Sequence, residues 1–279
     1  MYWQTSRRKI DIDRPLVMGI LNVTPDSFSD GGEFLSVDDA LRRAESMIDE
    51  GADIIDIGGE STRPGSKPVS AGDEWLRVGP VIGAIVKRFN TPISVDTTKS
   101  VVARQAIDAG AEIINDISGL RFDERIAEVA ATTKAGLVLM HSRGTFETMH
   151  TEPPVADILT AVSSDFGRAI ATALAHGVSE TQIALDIGIG FSKTFDQNLE
   201  LLAKLDKIVA EFKSYPMLVG TSRKSFIGKI LGGVPAGERL GGSLATAIMA
   251  ANKGAKILRV HDVKETAAAI KMQAKSGEV

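Results

Sequence analysis

Short runs of aliphatic and β-branched residues recur along this chain. Each is followed by a longer stretch in which apolar residues return at helical spacing. The short runs are Leu16–Asn22, Ile54–Gly58, Ile93–Asp96, Ile113–Asp116, 137–141, Ile183–Asp186, 217–220 and 257–261. All are too short for helices and almost uninterrupted in apolar residues, the pattern of a parallel strand buried on both faces. The helical stretches between and after them are 38–50, 73–88, 101–109, 124–133, Ile158–Ala175, 198–212, 224–231, Leu240–Asn252 and 263–274. Ser36 with Asp39, and Ser70 with Asp73, have the spacing of a helix-capping pair. The sequences EGAD, AGAE, KAGL and KGAK put a glycine between helix and strand, where a left-handed backbone is expected. Alternation of this kind builds a parallel sheet, and eight strands on one rhythm imply a closed (β/α)8 TIM barrel rather than an open doubly wound sheet. Residues 2–14 precede the first strand as a short N-terminal extension, expected to form a lid or hairpin at the closed bottom. The whole chain, 1–279, is expected to be a single domain.

Composition narrows the picture further. At 279 residues the chain has the length of one large barrel, and 43% hydrophobic residues supply a sizeable core. The net charge of −4 argues against general nucleic-acid binding, which needs a basic footprint. The absence of cysteine excludes disulfides, thiolate catalysis and thiolate-bound zinc. The opening MYWQTSRRKIDIDRP lacks the apolar core of a secretory signal, and no apolar run approaches the ~18 residues of a membrane span. The expected location is therefore the cytoplasm, with no membrane partner.

Chemistry gathers at one end of the strands. The runs end in Asn22, Asp56, Asp96, Asn115, His141, Asp186 and the pair Arg259 and His261. Period-two alternation puts Ser94 with Asp96, Ala184 with Asp186, and Ile257 with Arg259 and His261 on the inward face. Ile93, Val95, Ile183 and Leu185 then face the helices. Polar groups on the C-terminal rim of such a barrel mark an active site. Long connections rich in Gly, Pro, Ser and Thr (24–37, 60–72 and 143–154) follow strands and so lie on the same face. Arg63, Arg259 and His261 are candidates for a phosphate or diphosphate cradle near the last two strands, beside Ser222-Arg223-Lys224-Ser225. Asp96 and Asp186, with Asn115 between them, suit a flat heterocycle offering an N–H edge, because buried carboxylates need planar donors.

These residues lie in longer blocks. MGILNVTPDSFSDGG at 18–32 and GGESTRPG at 58–65 resemble the two signatures of bacterial dihydropteroate synthases. SVDT at 94–97, INDISG at 114–119, LMH at 139–141, GTSRKS at 220–225 and RVHDV at 259–263 are similar to that family's remaining blocks, in order. The resemblance implies condensation of 6-hydroxymethyl-7,8-dihydropterin diphosphate with 4-aminobenzoate, giving 7,8-dihydropteroate and diphosphate. This is a Mg2+-dependent step of folate biosynthesis and the target of sulfonamides. It implies that Asp96, Asn115, Asp186 and Lys224 hold the pterin, with Met140 and Phe191 against the ring. Asp96, Asp186, Lys224 and Arg259 are the implied catalytic set. Arg63, Arg259 and His261 are implied for the diphosphate, Asn22 for Mg2+, and Phe28, Thr62, Pro64 and Ser222 for the aminobenzoate. The loops 24–35 and 61–72 would then close over the diphosphate. An arylamine attacking an incipient cation needs no strong base, so no catalytic dyad is expected. Two departures stand out: Ile187 follows Asp186 where the family usually has proline, and the loop HSRGTFETMH carries the bulky Phe146 and His150. A pterin-binding methyltransferase barrel and an inactive phosphate-ligand binder are the alternatives. Pairing through helices, common among barrels, leaves a homodimer open.

Overall fold

A computed structural model describes residues 1–24, 37–63 and 65–276. The chain opens with an antiparallel hairpin, β1 (Tyr2–Gln4) and β2 (Lys9–Asp11). Eight parallel strands follow: β3 (Leu16–Asn22), β4 (Ile54–Gly58), β5 (Ile93–Asp96), β6 (Ile113–Asp116), β7 (Gly136–Met140), β8 (Ile183–Asp186), β9 (Met217–Val219) and β10 (Ile257–Val260). They close in sequence order, with β10 pairing β3. The helices outside the ring are α1 (Val37–Asp49), α2 (Ala71–Arg88), α3 (Ser100–Asp108), α4 (Arg125–Thr133), α5 (Ile158–Ala175), α6 (Phe195–Ala203), α7 (Leu205–Glu211), α8 (Ser225–Ile230), α9 (Leu240–Asn252) and α10 (Val263–Ser276). The fold is thus the expected (β/α)8 barrel. Among the described residues no helix is long and apolar enough to cross a membrane.

Alternation along the strands separates two cores. Outward residues such as Ile93, Val95, Ile183 and Leu185 join the continuous layer between strands and helices. Inward residues Leu16, Met18, Ile54, Ile113, Val138, Ala184, Leu218 and Ile257 fill the lower lumen. The hairpin seals that lumen from below. Trp3 is fully buried against the inward set, and its indole N–H donates to the carbonyl of Gln182 at 2.7 Å. Both the satisfied indole and the apolar ring fit a plug rather than a surface ornament.

Helix boundaries follow local chemistry. Ser70 caps α2 by accepting from the Asp73 amide, as its spacing predicts; Ser36 lies outside the described residues. The expected helix 198–212 is two helices, α6 and α7, separated at Lys204. It begins earlier because Thr194 and Gln197 form a reciprocal capping box. Gly51, Gly110 and Gly254 are left-handed as expected, but in KAGL the left-handed residue is Lys134 (φ 57°), not the glycine. Gly136 is already strand, and it is small for another reason: a Cβ there would sit 3.3 Å from the Trp3 ring.

Candidate active site

The upper lumen is polar because the next inward position is Asp56, Asp96, Asn115, Asp186 or Arg259 on five of the eight strands. Register pairs Gly58 with Asp96 and Asp96 with Asn115, while Met140 and Asp186 pair one inward step further along β7 and β8; these inward positions make up the upper layer of the lumen. Arg259 projects from β10 across that layer. Its Nε donates to Asp56 Oδ2 at 2.6 Å and its Nη2 to Asp96 Oδ2 at 2.7 Å. Asn115 Nδ2 also donates to Asp56 Oδ2, at 3.1 Å. Three polar atoms here are buried without a partner among the described residues: Asp56 Oδ1, Asn115 Oδ1 and Ser94 Oγ. Orphaned buried polar atoms are rare in folded proteins and mark a place where a ligand completes the bonding.

Burial sets the protonation of this layer. It pushes the Asp96 carboxyl up to about 7, against the pull of Arg259 and with the help of neighbouring Asp56. Asp186 is raised too, by burial, opposed by Lys224 and by the Gly188 amide. Lys224 is lowered to about 8 by burial, with Asp186 opposing. Burial works against the charge of Arg259, but Asp56 and Asp96 outweigh it and hold its pKa above the usual value. Arg259, expected in the diphosphate cradle, lies between the carboxylates of Asp56 and Asp96.

The remaining residues expected to hold a pterin ring come from β7 and from the segments after β8 and β9. Lys224 Nζ donates to the carbonyl of Ile189 and lies 4.8 Å from the centre of the Phe191 ring. Met140 is buried with Ile117 and Met149, and Phe122, Phe146 and Phe191 pack on that cluster. Ile187 is fully buried in the outer core, so it contributes packing where proline would contribute stiffness. Stiffness comes from elsewhere. Gly188 (φ 62°) passes so close to strand β7 that a Cβ would lie 2.0 Å from the His141 carbonyl oxygen. Lys193 Nζ donates to His141 Nδ1 at 2.8 Å, to the Gly188 carbonyl at 2.8 Å and to the Phe191 carbonyl at 2.9 Å. Three short acceptors match the three protons of an ammonium. Burial pushes the Lys193 pKa well down; the geometry nonetheless favours the protonated form, since a neutral amine has only two N–H bonds. His141 is the neutral acceptor, lowered to about 2 by burial and then by Lys193.

The opposite side holds the anion candidates. Ser222 Oγ lies 3.1 Å from both the backbone N and Nδ1 of His261, which puts it beside the diphosphate set. His261 is lowered to about 3 by burial and then by Arg259, so it offers a neutral N–H rather than a charge. Arg63 is exposed but close enough that its charge also lowers His261. Arg223, in a left-handed backbone (φ 59°), pairs with Asp262 and ties the loop after β9 to the end of β10. Thr62 is half-buried in the loop after β4. Phe28 and Pro64 lie outside the described residues.

Asn22 ends β3 at the rim. Gly58 leaves a notch there: a Cβ on Gly58 would lie 3.6 Å from Asn22 Oδ1 and 3.8 Å from Asp96 Oδ2. Among the described residues no three His, Asp or Glu side chains cluster as a protein-only metal cage. An amide oxygen beside one carboxylate suits Mg2+, which keeps waters and takes ligands from a substrate phosphate.

Lys193 is the residue that sequence reasoning missed; Asp56 was placed on the polar rim but given no role, and its contact with Arg259 supplies one. Nothing periodic marks Lys193, whose acceptors are the His141 ring and carbonyls supplied by the fold.

Residues 18–261 match the family model for pterin binding enzyme. Fold and site together define a pterin-binding barrel enzyme. The chain is 50% identical over 260 residues to the dihydropteroate synthase of Bacillus subtilis, covering 93% of this chain and 88% of that one. It is 49% identical over 254 residues to that of Synechocystis sp., covering 91% and 87%. The crystal structure of Yersinia pestis dihydropteroate synthase with a sulfonamide drug complex matches with a TM-score of 0.94 at 43% identity, over 100% of both chains. That of the Burkholderia cenocepacia enzyme complexed with 7,8-dihydropteroate matches at 0.89 and 40%, over 99% and 96%. The chain belongs to the dihydropteroate synthase family, a family of transferases. The methyltransferase alternative is not favoured.

Proposed function

We infer that the upper lumen condenses 6-hydroxymethyl-7,8-dihydropterin diphosphate with 4-aminobenzoate, releasing diphosphate and 7,8-dihydropteroate, and that residues 1–279 act as one domain. The observation that carries this is the interleaved layer itself, with Asp56, Asp96 and Arg259 in direct contact beside the unpartnered Asn115 Oδ1. A pterin presents a planar edge of N–H donors and a ring carbonyl. Asp96 and Asp186 accept from that edge, Asn115 bonds alongside, and Lys224 donates to the carbonyl. Met140 and Phe191 flank the ring.

In the reaction the bond from the pterin methylene to the diphosphate oxygen breaks, and its electron pair leaves with the diphosphate. The arylamine nitrogen forms the new bond to that carbon and then gives up a proton. Positive character grows on the pterin and negative charge on the departing group. Fixed charges aimed at developing charge are worth several kcal/mol, because they need no reorganisation. Asp96 and Asp186 stabilise the first charge; Arg259, Arg63 and the neutral N–H of His261 stabilise the second. Mg2+, held by Asn22 in the notch beside Asp96, would neutralise diphosphate oxygens when bound. Thr62, Pro64, Phe28 and Ser222 frame the aminobenzoate. Ser222 also holds His261, so it stands where the two substrates meet. The enzyme acts in the cytoplasm, with no nucleic-acid or membrane partner, and a homodimer is compatible with the fold.

The test is diphosphate release on adding both substrates, with Asp96→Ala and Arg259→Ala as controls of checked folding. The expected result is turnover in the native enzyme and its loss in both variants. Tight methyl-folate binding without diphosphate release would instead support the methyltransferase reading.

A further inference from the structure

The loop that follows β7 carries a residue that the reaction leaves unused. His150 Nε2 lies 2.7 Å from the carbonyl oxygen of Thr62, in the loop after β4. A carbonyl is only an acceptor, so Nε2 carries the proton and donates. The other face of the contact is the pterin wall, for the His150 ring is 5.6 Å from the Phe191 ring, tilted by 31°.

His150 is rooted on rigid ground. Its neighbour Met149 is buried against Ile117 and Met140, and the Met149 carbonyl accepts from Ser192 Oγ at 2.7 Å. The loop it reaches is not so held. Among the described residues, the remaining hydrogen bonds of 61–66 stay within that stretch: Ser66 Oγ to Ser61 Oγ at 2.9 Å, the Ser66 amide to the Arg63 carbonyl at 3.0 Å, and the Arg63 amide to Ser61 Oγ at 3.4 Å. The Thr62 carbonyl belongs to the peptide that leads into Arg63. Fixing it fixes where the Arg63 side chain starts.

We propose that His150 is a positioning residue, a latch from the pterin wall to the Thr62–Arg63 peptide that holds the aminobenzoate and diphosphate side of the site in register with the bound pterin. This rests on the functional reading given above. Glutamine can supply the same donor; phenylalanine keeps the ring packing and cannot.

The experiment compares full-length His150→Phe and His150→Gln with the native enzyme. Hydrogen–deuterium exchange is read over 61–66, together with steady-state kinetics and binding of the bare dihydropterin. Loss of one neutral hydrogen bond corresponds to a roughly fivefold effect. His150→Phe is therefore expected to speed exchange at 61–66 and raise the KM for 4-aminobenzoate by roughly fivefold. Affinity for the bare dihydropterin and kcat should change little, and His150→Gln should restore native behaviour. Native exchange in His150→Phe would overturn the proposal. So would a His150→Gln enzyme as loose as His150→Phe, or an equal loss of affinity for the bare dihydropterin. If the native enzyme releases no diphosphate, the functional reading fails alone, and the exchange comparison still decides the role of His150.

Discussion

The two halves of the barrel lumen are made by the same strands, yet they obey different rules. Below, Ile54, Ile113, Val138, Ala184, Leu218 and Ile257 pack above Trp3 in one apolar cluster. Above, one inward position further along, Asp56, Asn115, Asp186 and Arg259 replace them. Desolvating a carboxylate is costly, and a site evolved for stability alone would have continued the aliphatic stack. The lower half is complete without a ligand. The upper half retains buried atoms that no group among the described residues satisfies. Stability and function are thus divided by height within one lumen, and substitutions in the two halves should separate them.

The largest effect is expected from Arg259→Met. It removes the cation between Asp56 and Asp96, and kcat/KM should fall by roughly a thousandfold or more, the scale of losing preorganised electrostatic stabilisation. The two carboxylates lose their counterion, so unfolding by urea should also show a loss of about 3 kcal/mol at neutral pH. A variant with native turnover would break the comparison at its upper half.

Next is Trp3→Ala. Emptying a fully buried indole site should cost about 3–5 kcal/mol in denaturant unfolding. Turnover measured well below the transition should stay near native, since the plug lies at the far end of the lumen. Matched losses of stability and kcat would show that the halves are coupled.

Asp56→Asn should act through protonation. Asp96 is raised to about 7, so its carboxylate form, which the proposed pterin contact needs, is lost as pH falls through that value. Removing the negative charge of Asp56 favours ionised Asp96. The acid limb of the kcat/KM profile should therefore move to lower pH, by about one unit. A limb that stays in place, or moves up, would mean that Asp56 does not act on Asp96. The smallest effect is expected from Ile54→Val, about 1 kcal/mol of stability with no change in kcat/KM.

The strands were legible because burial on both faces leaves an unmistakable run of aliphatics, and because inward and outward positions follow from period two. The site was legible where a charged residue ended such a run, as with Asp96, Asp186 and Arg259. Contacts made across the lumen were not. That Arg259 would reach both Asp56 and Asp96 depends on side-chain length and barrel width, neither of which is written in spacing. Lys193 was invisible for a similar reason, since most of its acceptors are backbone carbonyls, which every residue has, and the remaining one is the ring of a distant histidine. Lys134 in a left-handed turn was hidden by a neighbouring glycine that invited the wrong assignment, and the split at Lys204 left no glycine or proline to mark it. The role of Ile187 follows from its burial, not from its neighbours in the chain.

The hydrogen bond from Trp3 to Gln182 has a consequence for how the molecule assembles. The third residue cannot find its resting place until a segment 179 positions later has arrived. Long-range closures of this kind come late, because the entropy of the intervening loop is lost before the contact repays it. The indole is also a fluorophore. Its emission should stay that of a water-exposed ring while the first half-barrel collapses and shift to the blue only as the circle completes, giving a built-in signal for the final step of folding.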